Sequence, residues 1–454
     1  MGEASEAYLA SLCRRGFLSL WSYPNPFNDK SLQQRQEGKE LCDLLVVFGE
    51  DIVIFSDKSC KYPDGPDEQL NWTRWYRRAV LNSADQIYGA ERWIKTFPNR
   101  VFVDPKCTRS LDVAFPDPQV MRVHRVVVAL GAREACKLFF DGGSGSLPIS
   151  GGKKEIEHVN GQPFYLGNEG EQGKFCHVFD DIALDAVLYE LDTISDFVGY
   201  LRKKEALFTT HLVIATGEED LLAHYLTTIN NGEHGFTPEG EIFDGLFVDE
   251  SAYSGLTALP QYIRSKEANE DSYLWDSVIE YFTDVWRRGE VQSNVERIDI
   301  ERALRLMATP PRVTRRRLAT MLIQAVTNTP PGHQRCISVL DTSGDEIAYG
   351  VVCIAYDPRI SIEEHQRRRH LVMDLYARSL RVRRPELKQA LILGVQPAQE
   401  EQGNQDLALM DFSHWNDEIE ARTRYEMPYF GLGAAGEQFT DYEFPPEPPA
   451  NQEG

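Results

Sequence analysis

The sequence predicts an α/β protein: a mixed sheet flanked by helices in the N-terminal third, a mostly helical middle, and a small α/β module toward the C-terminus. Three observations carry this. Residues 41–58, LCDLLVVFGEDIVIFSDK, hold two apolar runs, 44–48 and 52–55, rich in β-branched and aromatic residues and split by Gly49-Glu50. Gly at a tight turn supplies the positive φ that a hairpin loop requires, and runs that do not alternate with polar residues are buried on both faces. Stretches with apolar residues at helical spacing lie on either side of this hairpin, at 5–20 and 72–94. After a Gly/Ser-rich break at 141–153 the pattern becomes helical, and from about residue 330 strands return.

Taken in order, residues 5–20 form a helix, and the Pro-broken WSYPNPF at 21–27 is extended. The hairpin follows, then a Pro- and Gly-containing loop at 60–70 and a long helix over 72–94 whose Trp72, Trp75, Tyr76, Val80, Ile87 and Trp93 face a core. Residues 100–103 and 123–130 read as strands, which gives an α-β-β-α-β order and a mixed sheet covered by helices. The DGGSGSLPISGGK stretch at 141–153 does not match a phosphate-loop spacing and reads as a flexible linker. Beyond it, 181–205 has the period of one amphipathic helix, 212–215 is a short strand, and 218–229, 271–286, 299–307 and 314–326 are helical. His177, Asp180 and Asp181 stand at a helix start, where capping accounts for them better than a metal does. The C-terminal module consists of strands at 336–340, 347–355 and 390–395, a basic helix at 362–380, and a further strand and helix at 406–411 and 415–425. Within it His365 and His370 are five apart and do not stack on one helix face as a metal pair would. The expected domains are therefore 1–140, 154–329 and 330–438, with a disordered acidic, Pro-rich tail at 439–454.

A chain of 454 residues with 42% hydrophobic residues and a mean hydropathy of −0.40 has the composition of a globular protein. No apolar run reaches membrane-span length and no secretory signal opens the chain. Eight scattered cysteines without a C-x-x-C pair argue against a disulfide framework and for a reducing cytoplasm. A net charge of −22 weakens nonspecific attraction to nucleic acid, so a phosphate-binding surface would have to be local. Arg312 with Arg315, Arg316 and Arg317 could provide one, as could Arg367–Arg369 with Arg381, Arg383 and Arg384; each set could equally be a solvated or ion-paired helix face.

The chemistry concentrates at the open end of the hairpin. With Gly49-Glu50 as the loop, Phe48 pairs with Asp51 and Asp43 lies opposite Ser56; Lys58 then shares a face with Asp43 and Asp57 points away, whereas a loop longer by one residue puts Asp57 opposite Asp43 and turns Lys58 to the other side. A carboxylate beside a Lys suits phosphodiester hydrolysis, in which a divalent metal polarises phosphate and activates water. This arrangement resembles the core of the PD-(D/E)xK nuclease superfamily, the restriction-endonuclease-like fold, over roughly residues 1–130. Glu6 on the first helix and Gln86 on the helix after the hairpin match positions where that family often carries a glutamate and a glutamine or lysine. The resemblance implies an Mg²⁺- or Mn²⁺-dependent nuclease acting on DNA, in prokaryotic genome defence or DNA processing. Asp43, Asp57 and Glu6 would be metal ligands, Lys58 the group that orients water or stabilises charge, and Gln86 a support for phosphate or water.

Ser56 stands where the family has its second acidic ligand. A β-bulge could rotate Asp57 inward, or a neighbouring helix could supply the acid through Glu6, Glu40, Asp85 or Glu91. Alternatively the chain binds without cutting: an interaction or nucleic-acid-binding protein, with a protein partner or as a homo-oligomer, in which Asp43 and Lys58 simply form a salt bridge.

Overall fold

The computed structural model describes residues 2–152, 162–167, 174–230, 232–237, 244–291, 296–340, 346–398, 405–430 and 432. The chain forms two compact units, Met1–Leu259 and Pro260–Gly454. The acidic 439–454 tail expected to be disordered lies outside the described residues.

The first unit is built on a five-stranded sheet of order β1 (Ser22–Pro24), β2 (Leu44–Phe48), β3 (Asp51–Ser59), β4 (Arg122–Leu130) and β5 (Cys176–Phe179). The β1/β2 and β2/β3 pairs are antiparallel, and β3/β4 and β4/β5 are parallel, a mixed α/β sheet as the sequence predicts. Phe48 pairs with Asp51 across the two-residue loop, where Gly49 takes φ +59°. Leu45, Val46, Val47, Ile52, Ile54 and Phe55 are fully buried, each adding about 1.5–3 kcal/mol of burial free energy. One face of the sheet packs on α1 (Gly2–Trp21), and Phe17 of that helix, Phe55 and Phe197 form a ring cluster with centroids 4.9–6.3 Å apart. The other face packs on a continuous helical run made of α2 (Glu68–Tyr76), a π-helical turn (Arg77–Leu81) and α3 (Asn82–Thr96). The single helix expected over 72–94 is therefore longer and contains a local change of pitch.

Three expectations differ from the structure in this unit. The stretch read as a flexible linker contains a strand, Ile149–Gly152, which pairs with Leu212–Ala215 in a second sheet completed by Gly245–Val248. Gly152 has φ +107°, and a Cβ there would lie 1.9 Å from the His211 carbonyl oxygen, so glycine serves a close backbone approach and not looseness. The amphipathic stretch 181–205 is two helices, Ala183–Glu190 and α4 (Ile194–Thr210), separated where the Thr193 hydroxyl accepts the Asp196 N–H. The helical middle is not gathered into one body: 174–259 belongs to the first unit, where β5 completes the sheet, and 260–329 to the second.

The second unit has a four-stranded sheet of order β6 (Gln334–Leu340), β7 (Ile347–Ile354), β8 (Gln389–Val395) and β9 (Asp406–Asp411). Here β7 and β8 are parallel, and α5 (Ile362–Arg383) supplies the crossover. Helices Tyr273–Arg287, Arg297–Ala308 and Arg312–Thr327 complete the unit. The first arginine cluster turns inward: Arg312 and Arg315 both donate to Asp276, and Arg315 also donates to the Pro310 carbonyl. Arg316 is buried as well. Their burial takes Arg312, Arg315 and Arg316 out of any phosphate groove; Arg317 is half-buried. In the other basic set Arg369 is fully buried against Asp406, while Arg367 and Arg368 are exposed.

Candidate active site and metal-binding group

Asp43 precedes β2 and is held by its backbone: its N–H donates to the Phe55 carbonyl at 3.2 Å, and its own carbonyl accepts the Asn25 N–H at 3.0 Å. Its Oδ2 accepts the Asp57 N–H at 2.6 Å, which lays the carboxylate along the end of the hairpin. The Leu44–Phe55 pairing continues to place Asp43 opposite Ser56. Pairing of β3 with β4 runs unbroken from Asp51–Arg122 to Ser59–Leu130, so no bulge rotates Asp57. The pleat sends Ser56 and Asp57 to opposite faces. Ser56 Oγ donates to Gln86 Oε1 on α3 at 3.2 Å, whereas Asp57 turns toward Ser5 and Glu6 on α1.

Asp57 is 3% exposed, and neither carboxylate oxygen has a hydrogen-bond partner of good geometry. Burial pushes its carboxyl up to about 6; the Ser5 hydroxyl and Lys58 oppose this, and the Asp43 and Glu6 carboxylates reinforce it. Glu40 behaves alike. Partial burial, Asp43 and Glu6 push it up to about 7 against the pull of Lys58. Glu6, Glu40, Asp43, Asp57 and Lys58 thus share one electrostatic neighbourhood. Gln86 reaches the strand end through Ser56, on the face opposite Asp57. Among the described residues no ion pair joins Asp43 to Lys58. Two of the helix acids considered as substitutes are elsewhere: Asp85 is exposed, and Glu91 pairs with Arg125 at 2.8 Å and Lys95 at 2.8 Å. Arg74, Arg77 and Arg78 are exposed beside the loop that leaves Lys58, and Arg78 Nη2 donates to the Lys61 carbonyl.

A second group lies toward the other end of the sheet. His124 on β4 and His177 on β5 are buried on one face, because Val126 pairs with His177 and His124 is two residues earlier on the same strand. Glu205 on α4 meets both: its Oε1 is 2.9 Å from His124 Nδ1 and 3.0 Å from His177 Nε2. His124 Nε2 is 3.1 Å from Asp51 Oδ1, and Asp51 also accepts from Arg122 and Arg202. Burial alone would lower His124, but hydrogen bonds to Asp51 and Glu205 raise it above the ordinary histidine value. Full burial lowers His177 to about 4. Despite burial, the two imidazoles hold Glu205 down at about 2. Among the described residues, these three are the group whose ligand atoms converge closely enough, within 4.8 Å of one another, to hold a metal ion.

No protein-family model, curated protein or solved structure matches the chain. Among the described residues no helix is long and apolar enough to cross a membrane.

The His124–His177–Glu205 group was not legible as a constellation. Sequence reading assigned His177 to a helix cap, whereas capping falls to Asp180, whose Oδ1 accepts the Ile182 and Ala183 N–H groups, and Asp181 accepts the Gly131 N–H. The available signal was a histidine inside each of two apolar strand segments, VHRVVVAL and CHVF.

Proposed function

We propose that the Asp43–Asp57 end of the N-terminal sheet is the active site of a PD-(D/E)xK-like nuclease that hydrolyses DNA phosphodiester bonds with Mg²⁺ or Mn²⁺. One observation carries the reading: the carboxylate of Asp57 is buried with no cation paired to it, within reach of Glu6, Glu40 and Asp43. An uncompensated buried charge costs several kcal/mol, so such a set takes up either protons or a cation. Oxygen donors alone suit a hard cation of the Mg²⁺ class. Asp43, Asp57 and Glu6 would hold it, with Glu40 as a further carboxylate. When bound, the ion supplies Lewis-acid polarisation of phosphate and a lowered pKa for water. Lys58 places positive charge at the same strand end, where negative charge develops on the phosphate. Gln86, accepting Ser56 through Oε1, keeps its amide NH₂ as a donor for a phosphate oxygen. Arg74, Arg77 and Arg78 offer contacts to the DNA backbone that the overall charge does not.

Plasmid incubated with Mg²⁺ or Mn²⁺ should be nicked or linearised by the wild-type chain. Asp43→Ala and Lys58→Ala should each lower the rate about 100-fold or more. Equal behaviour of all three proteins sinks the hydrolytic assignment.

A second reading, binding without cutting, is favoured by Asp43 Oδ2 already accepting the Asp57 amide and by the pleat that separates Lys58 from Asp57. It predicts salt-dependent DNA binding that survives Asp43→Ala, with no cleavage by any variant.

A further inference from the structure

We propose that His124, His177 and Glu205 form a transition-metal site of the Zn²⁺ class, separate from the carboxylate cluster. The Glu205 Oε1 atom stands 2.9 Å and 3.0 Å from the two ring nitrogens. Donors on a tetrahedral zinc with bonds of about 2.0–2.1 Å lie about 3.3 Å apart, so Glu205 Oε1 has to withdraw only slightly from each ring nitrogen to admit an ion. Each ligand comes from a different element, β4, β5 and α4, and both imidazoles are buried, His124 2% and His177 0% exposed. Glu205 keeps 30% of its side chain exposed, which leaves a fourth coordination position to water.

The surroundings fit the assignment. Asp51 against His124 Nε2 is the carboxylate–histidine relation that fixes the tautomer and ring orientation of a metal-bound histidine. Arg122 and Arg202 in turn hold Asp51. Two imidazoles and one carboxylate select zinc, cobalt, nickel or copper over magnesium or calcium.

The site is not a second catalytic metal for the carboxylate cluster. His124 pairs with Val53, and His177 lies across Val126 from Phe55, so at about 3.3 Å per residue and about 4.8 Å per strand their backbones are roughly 12–14 Å from that of Asp57. Two-metal phosphodiester chemistry needs about 3.5–4 Å between ions. The ion would instead clamp the two parallel strands to α4.

The test uses the full chain, loaded with Zn²⁺, dialysed, and analysed for metal by mass spectrometry. Wild type and Asp43→Ala should each retain about one equivalent of zinc, and His177→Ala and Glu205→Gln should not. Chelation should lower the thermal midpoint of the wild type by several degrees and leave His177→Ala unmoved. Co²⁺ substitution of the wild type, which requires no variant, should give the intense visible bands of a tetrahedral nitrogen/oxygen site. Absence of retained zinc in the wild type, retention by His177→Ala equal to the wild type, loss in Asp43→Ala, or a weak octahedral cobalt spectrum would each overturn the proposal.

Discussion

Asp57 and Glu91 show how burial of one carboxylate can have opposite consequences. Asp57 is paired with no cation and its carboxyl is pushed up to about 6; Glu91 meets Arg125 and Lys95 and is lowered. An acid whose folded pKa is raised from an ordinary value of about 3.9 binds more protons folded than unfolded between those limits. Metal-free stability therefore falls as pH rises from about 4 to 6, and the loss persists above 6. Asp57→Asn should raise the metal-free thermal midpoint at pH 8, leave it nearly unchanged at pH 4, and abolish stabilisation by Mg²⁺; melting curves at the two pH values, with and without Mg²⁺, check all three. With Glu40 pushed up to about 7, cleavage at limiting Mg²⁺ should rise through pH 6–7, and the acidic limb should move to lower pH as Mg²⁺ increases. Two unbroken apolar runs and one glycine made the hairpin legible in the sequence but left two registers open, Asp43 opposite Ser56 or opposite Asp57; the pairing of Phe48 with Asp51 decides for Ser56. The burial of Asp57 against α1 was not legible, because it depends on Ser5 and Glu6 arriving from a distant helix.

At the level of elements, α3 is fixed to β4 by the Glu91–Arg125 pair, whose side chains are 6% and 11% exposed. Glu91→Ala strands the guanidinium and should cost about 3–5 kcal/mol in chemical denaturation, with Glu91→Gln costing less. Gly131 follows β4 with φ +103°, and a Cβ there would lie 2.3 Å from the carbonyl oxygen of Cys60, two residues beyond Lys58. Gly131→Ala should therefore destabilise by more than the roughly 1–3 kcal/mol of backbone strain alone, and should slow cleavage through displacement of the loop. Elements were readable where periodicity was uninterrupted. The break between Ala183–Glu190 and α4 escaped because Leu191 and Ile194 preserve a helical spacing of apolar residues across it, and the Thr193 cap is a weaker sign. The π-helical turn at Arg77–Leu81 left no trace in the pattern, since five helical residues in either pitch carry the same composition.

For the molecule as a whole, arginines divide by burial. Arg312, Arg315 and Arg316 neutralise interior acids or sit inside the second unit, whereas Arg74, Arg77 and Arg78 remain on the surface of the first. Removing one surface arginine that contacts a phosphate, for example by Arg74→Ala, should reduce the slope of log affinity for duplex DNA against log salt by about 0.9. Arg315→Ala should lower the stability of the second unit by about 3–5 kcal/mol and leave that slope unchanged. Salt-titrated binding and denaturation measurements separate the two. The net charge of −22 gave no sign of this division, because a sum over the chain is blind to where each charge resides.

Asp51 and Asp57 belong to one ribbon, with an even number of steps between them, and their side chains consequently emerge on the same side of the sheet. Excising a single residue from the apolar stretch in between, Ile54 for instance, would make that count odd. One aspartate would then be turned over relative to the other, so a one-codon deletion far from either ligand set could silence both.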